Sequence, residues 1–226
     1  MIKFKKFMTE GVDDPSIFKA IFLAGGPGSG KSFIVGKTGL PALGLKVVNS
    51  DDAYEAAMKK AGMEMNTDNI FSVQGQEMRG KAKKLTGIMQ ARYLTGRLGL
   101  VIDGTGKDFS KVKSQVSAMK NLGYDVAMIF VNTDLDTAIE RDEARDRTIG
   151  AKEVTNYWKE VQRNIGAFQT MFGKQNMLIV DNSNGKDFKV ETLRAYKDVS
   201  KFLKRPVDNS KAKKWINDER KKKKRS

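Results

Sequence analysis

The stretch AIFLAGGPGSGKSFIVG, Ala20 to Gly36, constrains this chain more than any other. A short apolar run drops into glycines at 25, 26, 28 and 30, passes through Lys-Ser, and resumes as an apolar, helix-like stretch. Gly25, Gly26, Pro27, Gly28, Ser29, Gly30, Lys31 and Ser32 fit G-x-x-x-x-G-K-[ST], the phosphate-binding loop. Glycine lets the backbone take positive φ, so successive N–H groups can converge on one anion. The helix that starts near Lys31 adds unpaired N–H groups and the positive end of its dipole. In this pattern Lys31 neutralises the outer phosphates and the Ser32 hydroxyl ligates Mg²⁺. ATP and Mg²⁺ are therefore the expected cofactors.

A phosphate loop needs a strand before it and a helix after it, and the pattern continues along the chain. Strand-like runs fall at 18–24, 45–49, 98–103, 124–132 and 176–180. Helical patterns fill 31–40, 52–61, 74–97, 109–122, 134–147, 152–172 and 187–204. Strands that alternate with helices and read as continuous apolar runs predict an α/β fold with a parallel sheet covered on both faces. The expected organisation is an N-terminal arm over 1–15, a nucleotide-binding domain over 16–205, and a basic, disordered tail over 206–226.

Composition narrows the chemistry. The chain of 226 residues has no cysteine and no histidine. That excludes disulfides, thiolate or imidazole metal sites, cysteine nucleophiles and a Ser-His-Asp triad among these residues. Acid–base work falls to carboxylates, lysines and tyrosines. The net charge of +15 favours anionic partners, and nine Lys and Arg against Asp218 and Glu219 concentrate charge in the last sixteen residues. Nucleic acid is one candidate partner for that tail, and simple solubilisation is the other reading. No apolar run approaches the ~20 residues of a membrane span. MIKFKKFMTEG also lacks the apolar core of a secretory signal, so a cytoplasmic protein without membrane contact is expected.

Three further stretches fall where the strands end, on the side where the phosphate loop opens. VVNSDDAYE places Asp51 to take a proton from an attacking hydroxyl, with Asp52 as the helix cap. LVIDGTG matches an apolar strand ending in Asp103, a second holder of Mg²⁺, followed by Thr105, Gly106 and Lys107 on the same edge. AIERDEARDRTIGAKEV puts Arg141 and Arg145 four apart on a helix, with Arg147 at its end, suited to close over a phosphoryl group. The competing reading pairs those arginines with Glu140, Asp142, Glu143 and Asp146 on the surface. Gly150 lies in a break that suits a lid hinge. In LIVDNSN, Asp181, Asn182 and Asn184 meet the adenine or form a turn; Asn182 is the candidate for the nucleotide. The methionines at 58, 63, 65, 78 and 89 read as core filler, and the basic residues of helix 74–97, Arg79 among them, as a solvated or anion-binding face.

The order GGPGSGKS, NSDDAYE, LVIDGTG, then GYDVAMIFVNT with an Arg-x-x-x-Arg lid resembles the zeta-toxin and polynucleotide-kinase-like branch of P-loop kinases, over roughly 18–184. The resemblance implies a five-stranded sheet in the order 2-3-1-4-5 and ATP-dependent phosphorylation of a hydroxyl. It implies that Lys31 and Ser32 bind phosphates and Mg²⁺, that Asp51 is the base, and that Arg145 with a neighbour is the lid arginine. Two positions depart from the pattern. Tyr54 stands where the resembling polynucleotide kinases carry an arginine, and GAKEVTNYWKE lacks the Val-Pro context of the further zeta-toxin lid arginine. Tyr54 counts against a nucleic-acid end and the missing Val-Pro context against a sugar nucleotide; the expected acceptor is a nucleotide-sugar-like small molecule or a nucleic-acid end. A nucleic-acid-associated ATPase without an acceptor, disfavoured by Gly104 after Asp103, and a non-catalytic nucleotide-binding module are the alternatives.

Overall fold

A computed structural model describes residues 12–145 and 148–224. The chain runs β1 (Lys19–Ala24), α1 (Lys31–Thr38), a 3-10 turn (Leu40–Leu43), β2 (Lys46–Val48), α2 (Ser50–Lys60), α3 (Thr67–Phe71), α4 (Val73–Thr95) and β3 (Leu100–Asp103). It continues through α5 (Phe109–Leu122), β4 (Asp125–Asn132), α6 (Leu135–Glu143), α7 (Ala151–Phe172), β5 (Met177–Asp181), α8 (Phe188–Lys204) and α9 (Ser210–Lys223). The five strands form one parallel sheet in the order β2-β3-β1-β4-β5, as expected.

The pleat of β1 divides the core. Ala20, Phe22 and Ala24 point to one face, where Val116 of α5 and Val161, Phe168 and Phe172 of α7 cover them. Ile21 and Leu23 point to the other, beneath Ile34 of α1 and Ala195, Val199 and Phe202 of α8. Both faces being buried explains why the strands read as continuous apolar runs. The central strand β1 and the strands beside it end at one edge, and that edge carries the phosphate loop.

Beside the sheet, α2, α3 and α4 enclose a separate cluster of Tyr54, Met58, Ile70 and Ala82. Met63, Met65 and Met78 pack against it, whereas Met89 is exposed. The five-residue α3 lies below the length at which periodicity is visible in a sequence; Asn66 caps it by accepting from the Asn69 N–H. Helix α1 ends at Thr38, two residues earlier than expected, because Gly39 takes φ +60° and Pro41 follows.

The basic segment expected to be a disordered tail is instead helical over α9. Asn209 caps it, Ala212 is fully buried, and the Trp215 ring meets Phe18 edge-on at 5.5 Å. Its charge is partly neutralised locally, with Arg220 and Lys223 paired to Asp13 and Lys213 to Asp208. Three apolar residues, Ala212, Trp215 and Ile216, supply one helical stripe that a composition dominated by lysine conceals. Of the expected arm over 1–15, residues 1–11 lie outside the described residues; Asp14 is buried and accepts from the Ser16 N–H and hydroxyl.

Replacing Trp215 by alanine is expected to lower the unfolding free energy by about 2–3 kcal/mol, less than for a fully buried tryptophan. Urea denaturation checks this, and an unchanged midpoint would return the segment to a loose tail.

Candidate active site

The loop between β1 and α1 owes its shape to two glycines above all. Gly28 has φ +72° and lies so close to the Ala138 backbone that a side chain would run into its carbonyl. Gly30 has φ +82°, and a Cβ there would run into the Asn182 amide. Gly30 is also the N-cap of α1 and offers no side chain, so the first N–H groups of the helix stay open to an anion. Three contacts clamp the loop: the Gly25 N–H donates to the Thr105 carbonyl at 3.0 Å, the Asn182 amide donates to the Ser29 carbonyl at 2.8 Å, and the Lys31 ammonium donates to the Gly25 carbonyl at 2.6 Å.

Burial pushes the Lys31 ammonium below the usual lysine range and the Arg145 charge adds to this, while Asp103 and Asp51 oppose it. Burial likewise pushes the Asp103 carboxyl up, against the pull of Lys31. These couplings place Lys31, Asp51, Asp103 and Arg145 within one electrostatic neighbourhood. One oxygen of Asp103 is shut off from water and has no hydrogen-bond partner. An orphaned carboxylate oxygen beside the lysine of a phosphate loop fits a hard cation such as Mg²⁺, with the exposed Ser32 hydroxyl at the head of α1 as a further oxygen ligand. Among the described residues no group of three or more carboxylates could hold a metal alone.

The α2 entrance differs from expectation in its cap. Asn49, not Asp52, is the N-cap: its carbonyl oxygen accepts from the Asp51 N–H at 2.8 Å and its amide donates to Asp52 at 3.0 Å. Asp51 is left exposed in the first turn. Asp52 is raised by partial burial and by the charge of Asp51.

The lid arginines are also rearranged. Helix α6 stops at Glu143, so Arg145 lies beyond it and does not share a helical face with Arg141. Arg141 donates to Asn184, and its Nη1 lies 3.8 Å from where a Cβ would stand on Gly30. Arg147 and Asp146 lie outside the described residues. Glu140 accepts from Asn184 rather than pairing an arginine, and Asp142 is buried, accepting from the Ile149 and Gly150 N–H groups.

Residues 21–165 match the AAA domain family AAA_33. The chain belongs to that family. No curated protein matches it. Among solved structures the fold recurs in the AvrRxo1-ORF1:AvrRxo1-ORF2 complex with sulphate ions, at 16% identity and a TM-score of 0.55 over 72% of this chain and 54% of that one. It recurs in the Pnkp1/Rnl/Hen1 RNA repair complex, at 17% identity and a TM-score of 0.52 over 67% and 46%. The chain thus spans about half the length of the AvrRxo1 chain it matches. A Chloroflexus aurantiacus protein known only as a proposed kinase matches at 12% identity and a TM-score of 0.50 over 81% and 96%. The resemblance read from the motifs therefore stands at the level of the AAA domain family and of the fold that these structures share.

Helix α7 was expected from the sequence, but its contacts with the site were not. Its Trp158 indole donates to the Thr133 carbonyl at 2.8 Å and its backbone passes 3.8 Å from where a Cβ would stand on Gly26. Its Asn164 amide donates to the carbonyls of Gly106 and Lys107, and Tyr157 lies 4.0 Å beneath the Lys107 ammonium. The signal available was a Trp and an Asn in an otherwise amphipathic helix, which does not separate a brace from a surface. Asn182, expected at the nucleotide, is 8% exposed with its amide committed to Ser29.

A carboxyl whose folded-state value is raised stabilises the fold while protonated and loses that contribution as pH rises through the raised value. Replacing Asp103 by asparagine is therefore expected to raise the melting temperature of nucleotide-free protein at neutral pH. The gain should shrink as pH falls and wild-type Asp103 also becomes neutral. Thermal denaturation across pH checks it; a lower melting temperature at neutral pH would contradict the desolvation reading.

Proposed function

We propose that the protein is an ATP-dependent phosphotransferase acting on a hydroxyl of a nucleotide-sugar-like small molecule or a nucleic-acid end. The observation that carries the reading is the desolvated Lys31 coupled to Asp103, Asp51 and Arg145 at the mouth of a phosphate loop. Supporting it, a solved AvrRxo1-ORF1:-ORF2 structure of the same fold contains ATP, at 14% identity and a TM-score of 0.55. Among the described residues no helix is long and apolar enough to cross a membrane.

In this reading Gly25, Gly26, Pro27, Gly28, Ser29 and Gly30 wrap the ATP phosphates with backbone N–H groups, and Asn182 keeps that backbone in place. The Lys31 ammonium leaves the carbonyls of Gly25 and Gly26 for the outer phosphates. Asp51 accepts the proton of the acceptor hydroxyl as its oxygen bonds to the γ-phosphorus and the bond to the bridging oxygen breaks, releasing ADP. Arg141, Arg145 and Arg147 meet the charge that spreads over the transferring group. A magnesium ion held by Ser32 and Asp103 would supply charge neutralisation between the phosphates. The pairing of several α9 charges with Asp13, Asp208 and Glu219 weakens the case for nucleic acid at that helix.

The test is transfer of label from γ-labelled ATP with magnesium to a panel of 5′-hydroxyl DNA and RNA, UDP-sugars and nucleosides. Label on one acceptor, reduced about 10²–10⁴-fold in Asp51→Asn, is the expected outcome. Free phosphate without a labelled acceptor, unchanged by Asp51→Asn, would overturn the base assignment in favour of a plain ATPase. Nucleotide binding without turnover would identify a non-catalytic module.

A further inference from the structure

Helix α8 does not close over the whole of the sheet face that it covers. Its C-terminal half leaves a cavity of about 340 Å³ against β1, β4 and the start of β5. The floor is apolar, made by Ile21, Ala127, Ile129, Leu178, Val199 and Phe202. Two features of the sequence leave it open. Ala127 is the smallest side chain of the buried run 126–131 in β4 and, at 8%, its most exposed. Strand β5 is an edge strand, and Met177 and Leu178 stay half-buried where β1 is closed. A void walled by hydrocarbon holds water poorly and takes apolar groups. Its volume lies at the lower end of the roughly 300–1,000 Å³ of small-molecule sites, which suits a compact ligand. The mouth is polar and mostly of one sign. Lys174, Lys201 and Arg205 stand against a single carboxylate, Asp198. Among the described residues Lys174 and Lys201 have no ion-pair partner. Arg205 is held by two bonds, from Nη1 to the Asn176 side-chain oxygen at 2.8 Å and from Nη2 to the Gln175 carbonyl at 3.0 Å. Three of the five guanidinium donors remain. The guanidinium lies 5.6 Å from the centroid of the Phe202 ring, on the boundary between apolar floor and charged mouth.

We propose that this cavity binds a small organic carboxylate. Its aliphatic or aromatic body lies on the floor at Ala127, and its carboxylate meets Arg205 and Lys201 at the mouth. Burial of the body supplies the apolar gain, and a planar guanidinium takes a carboxylate through paired N–H···O bonds. An alcohol of the same shape fills the floor and leaves the cations unpaired. An amine sets a like charge against them. The cavity opens beside the beginnings of β4 and β5, whereas the phosphate loop leaves β1 at the opposite edge of the sheet. The ligand is therefore neither the nucleotide nor the acceptor, and the inference does not depend on the reaction proposed above.

The test uses the full chain saturated with a non-hydrolysable ATP analogue, so that the phosphate loop is filled. Octanoate and 3-phenylpropionate are titrated in while the methyl resonances of Ala127, Met177 and Leu178 are followed. The expected result is a saturable shift of these methyls with at least one of the two acids. Nuclear Overhauser contacts should run from the bound acid to Leu178 and Val199. Octylamine should bind at least tenfold more weakly than octanoate, and 1-octanol severalfold more weakly. Ala127→Leu, which fills the floor, should abolish the shifts of Met177 and Leu178 and hold or raise the melting temperature. Arg205→Met combined with Lys201→Gln should weaken octanoate at least tenfold and leave 1-octanol unchanged. The Overhauser contacts are read on the wild type, so the test stands even where a variant fails to fold. Methyls that do not shift, contacts to residues outside the cavity, or an amine that binds as well as the acid would overturn the proposal and leave a packing gap. Displacement of the ATP analogue by octanoate would also overturn it, since the two sites would then be one.

Discussion

Backbone N–H groups aimed at one point repel each other, and a loop keeps such a shape only when its carbonyls are held from behind. In this fold that restraint is the Asn182 amide on the Ser29 carbonyl, reaching from the end of β5 across β4 to the loop after β1. Gly28 closes against α6 and the Gly25 N–H ties to the Thr105 carbonyl after β3, so every strand beside β1 or β4 contributes one restraint. The order of the sheet is therefore a condition for the site. A strand order that moved β5 away from β4 would leave Ser29 without its donor and the loop without its shape.

The same logic governs the segment after α6. Asp142 is buried with its carboxylate on the Ile149 and Gly150 N–H groups, so the end of α6 and the start of α7 are tied. Arg141 is anchored before this tie by Asn184, and the Arg145 N–H donates to the Asp142 carbonyl at 3.2 Å. The two arginines thus hang from different supports, Arg141 on α6 beside Gly30 and Arg145 just beyond the end of that helix. Helix α7 then runs back over the sheet edge, and Trp158 and Asn164 fix it to the loops after β4 and β3.

Much of the fold was legible because its signals are local or periodic. Five apolar runs, a glycine loop and helices between strands determine a doubly covered parallel sheet, and the strand order followed from the resemblance. What escaped notice has physical reasons. Helix α9 was hidden because three apolar residues are enough to dock it, while lysines dominate its composition. The cap was assigned to Asp52 because Asp and Asn cap equally well, and only the geometry of Asn49 decides between them. The competing reading that paired Asp142 with an arginine on the surface fails because the charge pattern of a helix does not report which face is buried. Asn182 was assigned to the nucleotide because proximity to the phosphate loop was visible, whereas the direction of its amide was not.

Two of the buried polar groups that the fold leaves unsatisfied lie at the phosphate loop. They are the orphaned oxygen of Asp103 and the orphaned hydroxyl of Ser29, beside a Lys31 ammonium that is desolvated but bonded to the Gly25 and Gly26 carbonyls. Each costs stability, since a buried polar group without a partner forfeits its hydration. By contrast, the buried Lys19 at the opposite end of the same strand has a carboxylate partner, 2.6 Å from Asp125. One strand thus carries a lysine paired with a carboxylate where it begins and leads into a desolvated one held by backbone carbonyls where it ends. Packing alone would treat the two alike, and the difference is what a surface built to bind and neutralise an anion requires.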